Sequence, residues 1–350
     1  MQFADNRARR RNGVILGAAV LAAGAMAASA ALIPHGRAPA IGDVSLSAGT
    51  AATNTASGYQ FLTLNDRHDT TFNQLLGIND SGLIVGYFGS GGKGHPNKGY
   101  WFRAPYAQTD FTNENVPGSV QTQVTGLNDN GITVGFFSTQ NTANNSNNNF
   151  GFVSFGEKLF RTVVFPTGDN AKPQVDQLLG VSDAGIAVGF YTNGQGSSRG
   201  FEYNIATREF TRVLSPGFTS STSLQSPSLT ASAINNHGDV AGFYNKTSAE
   251  VVAFLKLHTG RFITIAFPGA AMTQAFGVND SDEVVGTYTM GSGNSATQHG
   301  FVWRSGHGFT TVDDPAGIGS TNINGVNDEG DLVGFYTDSK GNTDSLFALP

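Results

Sequence analysis

The sequence predicts an all-β fold, and three observations carry that reading. A twelve-residue motif recurs six times, aromatic and glycine residues mark each copy at fixed places, and no helical periodicity of useful length follows residue 33. The copies are GINDSGLIVGYF from Gly77, GLNDNGITVGFF from Gly126, GVSDAGIAVGFY from Gly180, AINNHGDVAGFY from Ala233, GVNDSDEVVGTY from Gly277 and GVNDEGDLVGFY from Gly325. Their starts lie 49, 54, 53, 44 and 48 residues apart, a period that signals stacked or circular repeats.

Each motif reads as a hairpin. In repeat 1, short strands at 74–79 and 83–88 meet through Asn79, Asp80, Ser81 and Gly82. Asn and Asp bond their own backbone in turns, and a glycine in the fourth place takes positive φ at little cost. Five copies keep that glycine, and repeat 5 has Asp282, one of the few other residues that visits the left-handed region. A third strand is marked by a small residue and an aromatic, as in Gly99-Tyr100 and Gly300-Phe301. A fourth runs from Phe to Pro with a constant offset of six, from Phe111/Pro117 to Phe309/Pro315. Proline cannot donate to a ladder, which suits the end of an outer edge strand.

The sixth repeat stops after its third strand, at Leu346 to Leu349. Its missing fourth strand lies at the other end: Phe61-Leu62-Thr63-Leu64-Asn65 matches Phe309 to Asp313 and precedes its motif by the same 16 residues. A repeat array permuted by one strand predicts a six-bladed β-propeller of four-stranded blades, the last blade closed by the N-terminal strand at 59–65. A stacked β-solenoid is the alternative, but an open array would call for polar end caps. The aromatics that end each hairpin (Phe88, Phe137, Tyr191, Tyr244, Tyr288, Tyr336) are expected to fill the space between neighbouring sheets.

These hairpins, combined with third strands such as His299-Gly300-Phe301 and Val252-Ala253-Phe254, resemble the bacterial extracellular HAF (His-Ala-Phe) repeat family. The resemblance covers 59–349. Repeat 4 departs from it by starting at Ala233, and most copies lack the triplet histidine. It implies an exported, propeller-type protein and carries over no catalytic residue.

The N-terminus supports export independently. Arg7, Arg9, Arg10 and Arg11 precede an uncharged Ala-rich run to Ile33, and Ala28-Ser29-Ala30 offers a cleavage site, so 1–30 reads as a signal peptide. The alternative is an uncleaved anchor. Residues 31–58, rich in Ala, Ser, Thr and Gly, read as a flexible linker, and 59–350 as the repeat domain. Of the 20 Lys+Arg and 26 Asp+Glu, residues 1–30 hold four and one, which leaves 16 against 25. That balance opposes nucleic acid and anionic membranes as partners. There is no cysteine, so stability must come from core burial.

Chemical motifs are weak. Gly196-Ser197-Ser198-Arg199-Gly200 matches a nucleophile pattern without the helix it needs, and Gly89 to Gly94 imitates a phosphate loop without its spacing. The Asn-Asp pairs offer too few oxygens for calcium, and no histidine pair has metal-ligand spacing, so no metal, cofactor or catalytic residue is assigned. One polar set recurs three residues before each motif: Gln74, Gln123, Gln177, Thr230, Gln274 and Asn322. In a propeller these would ring the channel mouth. The preferred reading is that they satisfy backbone groups on the free inner strand edges. The other is a ligand-binding rim for a glycan.

The variable connections, among them 89–97, 138–148, 192–198, 289–298 and 337–343, should gather on one face, where function usually lives. The expectation is a secreted or periplasmic monomer acting as a non-catalytic binding or surface-interaction module for an extracellular carbohydrate or protein. The alternatives are a polysaccharide-active hydrolase or lyase using acids such as Asp169, Asp176 or Asp314, and a structural envelope component.

Overall fold

The computed structural model describes residues 58–140, 147–156, 159–216, 227–247 and 250–350, together with the two-residue strand Ala52–Thr53. The signal-peptide segment and most of the linker lie outside these residues. Among the described residues the structure is all strand and loop, apart from one 3-10 turn at Gly293–Ser295. No described helix is long and apolar enough to cross a membrane.

Repeat 1 forms an antiparallel four-stranded sheet in chain order: Asn73–Ile78, Ile84–Phe88, Lys98–Phe102 and Thr112–Asn113. Repeats 2 and 3 do the same. Repeats 4 and 5 also follow this order, and a single parallel pair, Val251 with Met272, joins them into one eight-stranded path. Repeat 6 supplies Thr321–Val326, Leu332–Thr337 and Thr343–Leu349, and its fourth place is taken by Gln60–Leu62, with Phe61 opposite Ala348. The arrangement is β-propeller-like. One detail differs from expectation: Ala52–Thr53, within the stretch read as linker, pairs with Gln60–Leu62, so this sheet has five strands.

The first strand of every repeat carries a bulge just before the first motif residue, at Leu75/Gly77 in repeat 1 and at the matching place in the other five. The extra residue kinks the strand and raises its twist. It also explains the last motif glycine, nine positions after the motif start. A Cβ on Gly189 would run into the carbonyl oxygen of Gln177 across the bulge, and Gly286 and Gly334 meet Gln274 and Asn322 in the same way. The first motif glycine answers a different constraint. A Cβ on Gly325 would lie 3.1 Å from the Gly77 Cα, so the inner strands of the last and first repeats approach backbone to backbone.

Apolar side chains fill the gaps between sheets. Leu75, Ile84 and Phe102 of repeat 1 share one buried cluster with Val333 and Phe347 of repeat 6. The hairpin-ending aromatics pack as expected: Tyr191 is buried and stacks on Phe165 of the preceding repeat at 4.6 Å, and Tyr288 stacks on Phe267. In the left-handed place of repeat 5, Asp282 has φ 58°.

Because the bulge leaves no room for a methyl group, Gly189→Ala is expected to lower unfolding free energy by about 1–3 kcal/mol. Urea titration reads this directly, with Ala233→Gly, a substitution to the residue the other five repeats use, as the mild comparison.

Candidate functional site

The six turns converge at one end of the repeat axis. In each, the third motif residue folds its own turn: Asn79 Oδ1 accepts the backbone N–H groups of Ser81 at 3.1 Å and Leu83 at 2.9 Å. The same amide reaches the next repeat, since Asn79 Nδ2 donates to the Asn128 carbonyl at 3.1 Å. Asn128, Asn235, Asn279 and Asn327 repeat this outward bond, and Asn327 returns it to the Asn79 carbonyl at 3.5 Å. Repeat 3 has Ser182 here, which has no amide nitrogen to offer.

The fourth motif residue completes the circuit. The backbone N–H of Asp80 donates to Asp129 Oδ1 at 3.0 Å, Asp129 to Asp183 at 2.9 Å, and Asp183 to Asn236 Oδ1 at 2.8 Å. Asn236 then donates to Asp280 at 2.7 Å, Asp280 to Asp328 at 2.8 Å, and Asp328 back to Asp80 at 2.8 Å. These residues rim a cup of about 70 Å³ whose apolar wall is Ile78, Leu127, Val181, Ile234, Val278 and Val326, one from each repeat.

Five carboxylates on one rim repel each other. Burial, reinforced by the Asp80 and Asp183 carboxylates, pushes Asp129 up to about 6. Burial also raises Asp328, with Asp80 and Asp280 adding to the effect. Among the described residues no group of three His, Asp or Glu is placed to hold a metal ion.

The recurring polar set lies elsewhere, toward the start of the inner strands. Gln123, Gln177, Thr230, Gln274 and Asn322 are buried, Gln177 completely, and Gln74 is half-buried. Gln74 accepts the Tyr87 hydroxyl at 2.8 Å and Gln123 Nε2 donates to Asn97 Oδ1 at 2.8 Å, while neither amide atom of Gln177 has a partner. Inner-edge carbonyls are met instead from the bulge: Thr125 Oγ1 donates to the Leu178 carbonyl at 2.9 Å and Asn324 Nδ2 to that of Leu75 at 3.1 Å. Sequence reasoning missed this bulge position because its residues share no chemistry.

The acids named for a hydrolase are each engaged locally. Asp176 is fully buried and accepts the Phe165 N–H at 2.9 Å and Gln174 Nε2 at 2.8 Å, and burial pushes it up to about 6. Its role recurs in other repeats, where Asn73, Thr122, Thr273 and Thr321 accept the equivalent N–H. Asp314 accepts the Ala316 N–H at 2.8 Å and Asp169 that of Gly194 at 3.3 Å. The turn aspartates, weighed in the sequence only as turn formers or calcium ligands, had a usable signal for bonding between repeats. A turn needs only its Asn and Gly, so an Asp kept at the fourth place in five copies asks for a partner outside its own repeat.

The Asp129 value sets a pH dependence. Its folded value lies above the 3.8 of an ordinary Asp, so ionisation costs stability above pH about 6, and the cost fades as pH falls toward 3.8. Asp129→Asn keeps the Oδ1 acceptor, as Asn236 does naturally, and removes the charge. It is expected to stabilise the protein at pH 8 by about 1–2 kcal/mol after solvent screening, with little gain at pH 4. Urea midpoints at the two pH values check this.

No protein-family model matches the chain. No curated protein matches it in sequence. Solved structures similar in fold include virginiamycin B lyase from Staphylococcus aureus, with 11% identity, a TM-score of 0.42, and coverage of 83% of this chain and 99% of that one. A family 25 polysaccharide lyase, an ulvan lyase, shows 13% identity over 93% of this chain and 94% of that one, with a TM-score of 0.44. A six-bladed propeller lectin from Aleuria aurantia shows 12% identity over 76% and 95%, with a TM-score of 0.41. Likeness at this level assigns neither activity nor ligand to the present chain, whose all-β, propeller-like sheet order rests on its own strand pairings.

Proposed function

We propose that the protein is an exported six-bladed β-propeller of the HAF-repeat type, acting as a binding module that retains an extracellular carbohydrate or protein without cleaving it. The observation that carries this reading is the commitment of the recurring residues. The Asn and Asp of the turns are spent on bonds to the next repeat, and the motif glycines on close backbone approach. What repeats therefore builds the ring. What differs between repeats, the loops at the far end of the sheets, is left to recognise a partner, as loops on rigid scaffolds commonly do. Circular closure is supported by the Asp328 to Asp80 bond and by the pairing of Gln60–Leu62 with Thr343–Leu349. Export is supported by the basic, then apolar, N-terminal segment.

Incubation of the purified repeat domain with a glycan panel tests the reading. Retention of one glycan class without change in its chain length is the expected result, and glycosidic cleavage would overturn it. The Gln123→Ala, Gln274→Ala double variant locates the site. Retention should persist, because these amides are buried; loss of retention at unchanged melting temperature would move the site to the recurring polar set.

A further inference from the structure

Repeat 5 departs from the others beside its variable loop 289–298. The third-strand residue paired with the hairpin-ending aromatic is Lys98, Phe150, Arg199, Val252, His299 or Asp344. Where it is a long cation it ties neighbouring repeats: Lys98 Nζ donates to the Val120 carbonyl at 3.1 Å and Arg199 to that of Pro227 at 3.4 Å. Both carbonyls lie six residues before the next motif. In repeat 5 the backbone N–H of Gln298 bonds the matching carbonyl, Gly319, at 2.9 Å. The imidazole of His299 is released from that task.

It has taken up two other partners. His299 Nδ1 lies 2.7 Å from Asp313 Oδ2, and its Nε2 lies 2.9 Å from Thr297 Oγ1. The ring stacks on Tyr288 at 5.1 Å, and the Gly300 N–H holds Asp313 Oδ1 at 3.1 Å, so the imidazole and the carboxylate are both held in place. In repeat 1 the backbone part of this role is filled by Asn115, which accepts the Gly99 N–H at 3.1 Å. A neutral amide suffices there, so the backbone bond alone does not account for a carboxylate at 313. The side chains of His299 and Asp313 are 27% and 35% exposed, which opens the relay to solvent.

A hydroxyl on an imidazole whose far nitrogen is held by a carboxylate is the arrangement that activates a nucleophile. The carboxylate keeps the proton on Nδ1 and leaves Nε2 to accept that of the hydroxyl. We propose that Thr297 and His299 form an ester-cleaving centre for small carboxylic esters, with Asp313 as positioning residue. Thr297 Oγ1 bonds to the ester carbonyl carbon while its proton passes to His299 Nε2. The carbonyl carbon then loses the alcohol, whose oxygen takes that proton. Water, deprotonated by the same nitrogen, cleaves the threonyl ester, which releases the acid and restores the hydroxyl. This goes beyond the binding reading and fails separately from it, since ester turnover and labelling are read without a glycan present.

The test uses 4-nitrophenyl acetate for turnover and a fluorophosphonate for labelling, with the adduct located by mass spectrometry. An adduct on Thr297 is expected, together with a loss of about 10²–10⁴-fold in turnover for both Thr297→Ala and His299→Gln. Thr297→Ser, which keeps the hydroxyl, should retain label and turnover. Asp313→Asn should slow labelling with an unchanged melting temperature, as the natural Asn115 suggests. No adduct at residue 297, or turnover unchanged in Thr297→Ala, would overturn the proposal.

Discussion

Each turn of this protein leaves one backbone N–H pointing at its neighbour, and the side chain that receives it belongs to the next repeat. Six such bonds run from Asp80 through Asn236 and return to Asp80. A net contribution of about 0.5–1.5 kcal/mol per bond is ordinary. Their topology matters more. No turn satisfies its own donor, so every repeat is incomplete alone, and the six must share one axis for any of them to be fully bonded. The close approach of Gly325 to Gly77 and the bond from Asn324 to the Leu75 carbonyl meet the same demand one layer deeper.

That demand carries an electrostatic cost. The acceptors of these bonds are mostly carboxylates, and burial, reinforced by neighbouring carboxylates on the same rim, raises Asp129 and Asp328. Asn236 shows that the bond does not need the charge. The turn end is therefore shaped by its bonds between repeats, and the two ends of the sheets differ in kind: one is committed to internal bonds, the other carries loops of unequal length.

Much of the fold was legible because glycine and asparagine report backbone demands directly. The motif glycines, the turn Asn and the left-handed place occupied by Asp282 could be read from a single chain, as could the match of Phe61 to Asn65 with the fourth strand. The bulge was hidden, since its residues Leu76, Thr125, Leu179, Ser232, Phe276 and Asn324 share no property that spacing could reveal. The site was less legible. The recurring Gln positions stood out for their regularity, yet the structure buries most of them, and Gln177 completely. The contact of Thr297, His299 and Asp313 brings together one strand and the segment that follows the next strand of the same repeat, and a departure found in one repeat of six gives no periodic signal.

Circular closure is most directly tested by a crosslink. The chain has no cysteine, so Gln60→Cys and Leu349→Cys, at paired positions of strand Gln60–Leu62 and the last strand, can form only one intramolecular disulfide. The account predicts complete oxidation within the monomer and a reductant-sensitive gain of about 2–4 kcal/mol in stability. Two thiols that stay reduced under oxidising conditions, or that link separate chains, would contradict it.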